Sequence, residues 1–292
     1  MTNQTHISAW QTENLANIHK RLKLVRSSET FEKIIPGKLQ GIFIRKVEQT
    51  LEMYCYDNES KNLSSIMSRI NLDDPLCLLG HYTQVMFLSA FWQQQPPQNV
   101  YMAGYGGGRI AMLLRHYFQG IKIDGTDIDP NVLASTQVFF GIDKQDLSGI
   151  HLGDSREDLS KRAKSYDIIL LDVFAGSGEH VNHLATKEFF ELCKDKLSDG
   201  GTLVANLIEA DPMMHEKIAA IKTQFKHLNV WKQNGAYVVF ASNKEIDLKA
   251  IMERVEGFTE QETLNFTTSE HIAVLEAYKA PTDTKALSDT SL

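Results

Sequence analysis

Cysteine is scarce in this chain: three residues, Cys55, Cys77 and Cys193, lie scattered through 292 positions with no CxxC spacing. That argues against a disulfide framework and favours reduced thiols in a cytoplasmic setting. Long apolar runs are missing too. The most apolar stretch, LCLLGHYTQVMFLSAFW from Leu76, is interrupted by His81, Thr83 and Gln84; it reads as a core helix, and no membrane partner is expected. The opening MTNQTHISAWQTEN has neither a basic nor an apolar leader region, so no signal peptide is expected. Basic residues are outnumbered, 30 Lys+Arg against 37 Asp+Glu for a net charge of −7, which argues against a nucleic-acid partner. No GxxxxGK[ST] phosphate loop occurs, so triphosphate hydrolysis is not expected. The dinucleotide pattern GxGxxG, started at Gly104, meets Arg109 where it needs its third glycine, which counts against NAD or FAD. His180 and His183 have no third ligand at zinc-like spacing, so no metal is expected.

What remains is an ordinary globular composition, 42% hydrophobic and 23% charged. Trp10, Leu15, Ile18, Leu22 and Val25 fall at helical spacing and predict an amphipathic helix from Ser8 to Val25. Gly37 to Asn58 reads as two or three short antiparallel strands, and the polar stretch Glu59 to Asp74 as a separator before a helix beginning near Leu76. After Pro96, the runs NVYMA, IKIDGT, IHL, YDIILLDV and GTLVANL alternate with helical segments, the pattern of βαβ units and a parallel sheet. Two strands around Asn234-Gly235 predict a closing hairpin. The expected fold is α/β: a doubly wound, mostly parallel Rossmann-like sheet with an antiparallel C-terminal hairpin, preceded by a small β-rich domain. The expected divisions are 1–75, 76–280 and a disordered tail at 281–292.

Four glycines, Gly104, Gly106, Gly107 and Gly108, crowd the turn AGYGGGRIAM between the first strand of this sheet and a helix. Glycine there either admits a ligand close to the backbone or simply makes a tight strand-to-helix turn. Asp127 ends the second strand at the distance for a ribose diol. Asp154 and the Ser155 backbone follow the third, placed for an adenine edge, and Asp172 ends the fourth, facing the same crevice. Each aspartate also suits a turn or N-cap. Taken in order, they describe an adenosine site without a pyrophosphate, and adenosine on a sulfonium fits best.

The stretches YTQVM, GYGGG, TDID, GDSRED, LLDVFAGSGEHVNHLATKEFF and DGGTLVANL together resemble the polyamine aminopropyltransferases, the spermidine synthase family within the class I S-adenosylmethionine methyltransferase fold. The likeness covers roughly Leu76 to Ser242. It implies a transferase that moves an aminopropyl group from decarboxylated S-adenosylmethionine to an amine or polyamine, commonly as a homodimer. On this resemblance Asp127 holds the ribose, Asp154 lies near adenine, Asp172 is the base, and Tyr82 and Gln84 of YTQVM stand on the acceptor side. Two of the family's carboxylates are absent: the resemblance sets the loop aspartate at Gly107 and the second aspartate after the base at Ala175. Glu179 or Glu209 is a candidate replacement. Without a loop carboxylate, and with Arg109 nearby, the chain is expected to tolerate full S-adenosylmethionine as donor. A small-molecule methyltransferase and a non-catalytic adenosyl binder are the alternatives.

Overall fold

Helix α1 (Ala9–Ser27) leads the chain, with the Gln11 side chain accepting from the Ser8 N–H at 2.9 Å and Ile18, Leu22 and Val25 turned inward. The computed structural model describes residues 8–37, 40–174, 181–279 and 284–292. Four strands follow as an antiparallel sheet in sequential order: β1 (Phe31–Ile35), β2 (Gly41–Val47), β3 (Thr50–Tyr56) and β4 (Leu63–Asn71). The stretch expected to separate two regions is therefore largely strand β4. Register shifts opposite Met53, Tyr54 and Tyr56 break the two-residue alternation that would have revealed it. The helix expected at Leu76 begins five residues later, as α2 (His81–Phe87) continuing into a 3₁₀ turn at Leu88–Phe91. Leu76 and Leu78 are buried from an irregular segment, so their apolar character reports packing and not helix.

The main sheet then builds from β5 (Asn99–Ala103), α3 (Arg109–Tyr117), β6 (Lys122–Asp127), α4 (Pro130–Phe139), β7 (Ile150–Leu152), α5 (Ser155–Lys161), β8 (Tyr166–Leu171), α6 (Lys187–Lys196), β9 (Leu197–Ile208), α7 (Met214–Gln224), β10 (His227–Gln233) and β11 (Ala236–Ser242). Helices α8 (Leu248–Thr259) and α9 (Thr268–Ala273) and a two-residue strand β12 (Glu276–Ala277) complete it. Spatial order is β12-β10-β11-β9-β8-β5-β6-β7, with β9, β8, β5, β6 and β7 parallel and β10, β11 and β12 antiparallel. Asn234 and Gly235 both take positive φ, 52° and 79°, the turn that two-residue hairpins require.

Both faces of the parallel strands are buried. Val100, Met102, Ile168 and Leu170 face one apolar cluster, while Tyr101, Ala103, Ile169 and Leu171 face another. The first cluster also takes in Ile42, Ile44, Leu51, Met53 and Ile70, so one core crosses the division expected at residue 75. The tail was expected to be disordered. From residue 284 it instead packs on the main sheet: Leu287 is 2% exposed beside Phe189 and Ile218, and Asp289 receives two bonds from Arg156 and one from Thr186. Burying a single leucine anchors an otherwise polar segment. No helix among the described residues is long and apolar enough to cross a membrane.

Candidate active site

Strand order reverses between β5 and β8: the chain proceeds from β5 to β6 and β7 on one side, and from β8 to β9 on the other. Loops at the carboxyl ends of these two strands diverge and leave a crevice, the place where doubly wound sheets hold ligands. The glycine turn leaves β5 there and Asp172 leaves β8, joined by the Asp172 N–H donating to the Ala103 carbonyl at 2.9 Å.

Much of the demand for glycine comes from the protein itself. A Cβ on Gly104 would lie 2.2 Å from the Asp172 carbonyl oxygen, and one on Gly107 would lie 2.3 Å from Ser68 Oγ and 2.9 Å from the Phe140 ring. Gly108 caps α3 with φ +65°, its Cβ position 2.8 Å from the Tyr105 ring, and it lines neither of the cavities described below. Only Gly106 looks into open space, with nothing nearer than the Met67 carbonyl at 3.9 Å. Gly107, where the resemblance sets the family's aspartate, has no room for a side chain; the loop position with room is Gly106. The carboxylate is absent at both.

Asp127 holds this loop. Its Oδ2 accepts from the Tyr105 and Gly106 N–H groups at 3.2 and 3.1 Å, and its Oδ1 from the Asp129 N–H at 3.0 Å. Burial raises its pKa, and the backbone donors oppose that rise. Three of roughly four lone-pair positions are thereby used. Asp154 caps α5 by accepting from the Glu157 N–H, and its other oxygen meets His183 Nε2 at 2.6 Å. Burial pushes its carboxyl up, but His183 and the backbone donors outweigh this and leave it below its ordinary value. Ser155 follows at the first position of α5, its hydroxyl 2.6 Å from Thr126 Oγ1. Asp172 accepts from Asn206 Nδ2 at 2.9 Å. Burial lifts its pKa to about 6 despite that bond. Asn206 Oδ1 is buried with no partner among the described residues.

These groups line one cavity of about 1070 Å³, large for a small-molecule site. Gly104, Gly106, Asp127, Asp154, Ser155, Asp172, Tyr82 and Asn206 all border it. Its described walls include six carboxylates, Asp57, Glu59, Asp127, Asp129, Asp154 and Asp172, and no lysine or arginine. A side pocket of about 100 Å³ opens where Tyr82, Gly104, Gly106 and Asp172 are shared, and Gly107 lies on its wall. Tyr82 sits at this junction, its hydroxyl pushed up by burial and by the Asp172 charge, so it stays protonated and can donate.

Two expected contributors stand elsewhere. Gln84 is buried away from the cavity, its amide donating to the Leu78 carbonyl and its oxygen meeting His271 Nε2 at 2.8 Å. Glu209 pairs with Lys232 at 2.5 Å on the hairpin and lines neither cavity. Glu179, Ala175 and His180 lie outside the described residues. Among the described residues no group of three His, Cys, Asp or Glu side chains is placed to hold a metal. Asn206 escaped the sequence reading although it is the one polar residue in the apolar run LVANLI of β9, a signal that could have found it.

A crevice at the switch point of a doubly wound sheet, edged by carboxylates from successive strand ends, is the arrangement of α/β proteins of the class I methyltransferase type. The chain belongs to the spermine/spermidine synthase domain family, whose model matches residues 79–243. It is 31% identical over 163 residues to a polyamine aminopropyltransferase of Chromobacterium violaceum, covering 56% of this chain and 62% of that protein. It is 27% identical over 163 residues to one of Vibrio vulnificus, covering 53% and 54%. The chain thus spans little more than half the length of these curated relatives. A probable spermidine synthase from Corynebacterium glutamicum shares the fold at a TM-score of 0.69 and 18% identity, over 89% of this chain and 96% of that one.

Proposed function

We propose that this chain transfers the propyl arm of an adenosyl sulfonium to a small-molecule amine, as an aminopropyltransferase-like enzyme with Asp172 as its base. The observation that carries this reading is the position of Asp172: half-buried at the junction of the two cavities, beside the glycine turn, with a pKa lifted to about 6. A base is most useful when its pKa lies near the working pH, and this carboxyl meets that condition.

The acidic cavity suits both reactants. Sulfonium and ammonium groups are cations, and six lining carboxylates favour them where few counter-charges intervene. Asp154, Ser155 and the remaining acceptor position of Asp127 hold the adenosine. Tyr82 and the unpaired Asn206 Oδ1 orient the incoming amine. The sulfonium is already a good electrophile, so the protein's work is alignment and removal of one proton. Either decarboxylated S-adenosylmethionine or the full compound can supply the arm, and both leave methylthioadenosine.

Release of methylthioadenosine measures turnover for either donor. Asp172→Asn should lower it by about 10²- to 10⁴-fold, the usual worth of a positioned base, while methylthioadenosine affinity changes by about twofold or less. Wild-type turnover in that variant would overturn the assignment.

A further inference from the structure

The two cavities carry opposite charge. Among the described residues lining the side pocket, the charged groups are Arg69, Arg109 and, at its mouth, Asp172. Neither arginine has an ion-pair partner among the described residues. Arg69 lies opposite Glu52 in the β3–β4 pairing, but Glu52 is engaged by Arg45 and Tyr54, and Arg69 makes only a long 3.4 Å contact with the Leu79 carbonyl. Arg109 is 6% exposed. Its Nη2 donates to the Pro75 and Cys77 carbonyls, its Nη1 lies 3.0 Å from Met112 Sδ, and its Nε has no partner among the described residues. Carbonyl oxygens satisfy hydrogen bonds without neutralising a full charge. A guanidinium this deeply buried is ordinarily paired with an anion.

The pocket walls contain Gly104, Gly106 and Gly107 and the first turn of α3, whose leading N–H groups add further positive character. It begins where the sulfonium carbon would face Asp172. A decarboxylated arm would bring a lone ammonium toward the Arg69 guanidinium and the positive end of α3 where Arg109 begins the helix. A full methionine arm would bring a carboxylate with its ammonium.

Resting on the alkyl-transfer reading above, we propose that the side pocket binds a carboxylate adjoining the reacting chain, that of the donor arm, so that the group transferred is 3-amino-3-carboxypropyl. The acceptor nitrogen forms a bond to the arm carbon next to sulfur, the C–S bond breaks, and its electron pair stays on sulfur as neutral methylthioadenosine. The proton lost by the acceptor nitrogen passes to Asp172. Tyr82, shared by both cavities, marks the boundary between the acidic and basic walls.

Two reagent pairs, each differing by one carboxylate, test this on the full chain by calorimetric titration and product mass. The donors are S-adenosylmethionine and its decarboxylated form, and the acceptors are ornithine and 1,4-diaminobutane. S-adenosylmethionine should bind about tenfold or more tightly than the decarboxylated donor, and the product should carry the carboxyl group. Arg69→Gln should erase about tenfold of that gap while methylthioadenosine, which lacks the arm, binds as before. A preference confined to ornithine would assign the pocket's carboxylate to the acceptor and overturn the donor assignment. Preference for the carboxylate-free member of each pair, with methylthioadenosine still bound, would overturn the inference and leave the transfer reading standing. Failure of methylthioadenosine itself to bind would instead sink the reading beneath it.

Discussion

The acidic cavity and the arginine-lined pocket share six residues yet are built largely from different parts of the chain. Asp127, Asp154 and Asp172 end or follow parallel strands of one sheet, and the topology delivers them to one crevice. The basic pocket instead takes Arg69 from β4 of the antiparallel sheet and Arg109 from α3. The doubly wound sheet thus places the acidic crevice, while the added sheet contributes Arg69 beside it. Charge at the junction therefore depends on contacts between layers more than on strand-end positions.

The sharpest way to break that contrast is to put a carboxylate into the glycine turn. Gly107→Asp would drive a side chain into Ser68 and Phe140. A loss of about 3 kcal/mol in urea-unfolding stability is expected from the overpacking. Gly106→Asp has open space, at a φ of +51° that aspartate tolerates better than most residues. Its carboxylate would stand between the two cavities and should move donor preference toward the decarboxylated form by about tenfold, read by titration with both donors. Comparable stability in the two variants would show that the tight packing around Gly107 does not govern the loop.

The same contrast separates what the sequence could reveal from what it could not. Parallel strands buried on both faces announce themselves as short apolar runs, and glycine and aspartate at their ends mark the crevice. The three aspartates and the turn were legible for that reason. Arg69 was not, because β4 is interrupted by register shifts and its polar residues read as a connector. Gln84 was misplaced by a motif whose backbone position is at the site while its side chain points into the core against His271. The packing that excludes side chains at Gly104 and Gly107 comes from Asp172, Ser68 and Phe140, partners at long range in sequence. Composition of the turn alone cannot distinguish those neighbours from a ligand.

A smaller effect concerns the charge shared by both cavities. The Asp172 carboxyl titrates near pH 6 in the folded chain and near its ordinary value of 3.8 when unfolded. Folding therefore loses stability as pH rises from about 4 through 6, since the native state must give up a proton that it binds more tightly. Removing the charge with Asp172→Asn should stabilise the protein by about 3 kcal/mol at pH 7, with the gain vanishing below about pH 4. Turnover should move oppositely, falling as pH drops through about 6 because the base must be ionised. Denaturant titrations of wild type and variant at pH 7 and pH 4 check the first, and a pH–rate profile the second. A stability difference independent of pH would mean that this carboxyl is not held against its tendency to ionise.

The smallest expected effect distinguishes the cavities from behind. Asp289 receives two bonds from Arg156 at 2.8 and 2.5 Å, and Arg156 also donates to the His183 carbonyl at 3.2 Å. His183 in turn meets Asp154 on the wall of the acidic cavity. The Asp289 side chain is about 40% exposed, so solvent screens much of the pair. Asp289→Ala should accordingly weaken methylthioadenosine binding by only about 1 kcal/mol or less, and the weakening should shrink further in high salt. None of these contacts reaches Arg69 or Arg109, so the ratio of affinities for the two donors should not change. If that ratio moved with Asp289, the two walls would be mechanically coupled, and the separation of nucleoside binding from arm recognition would fail.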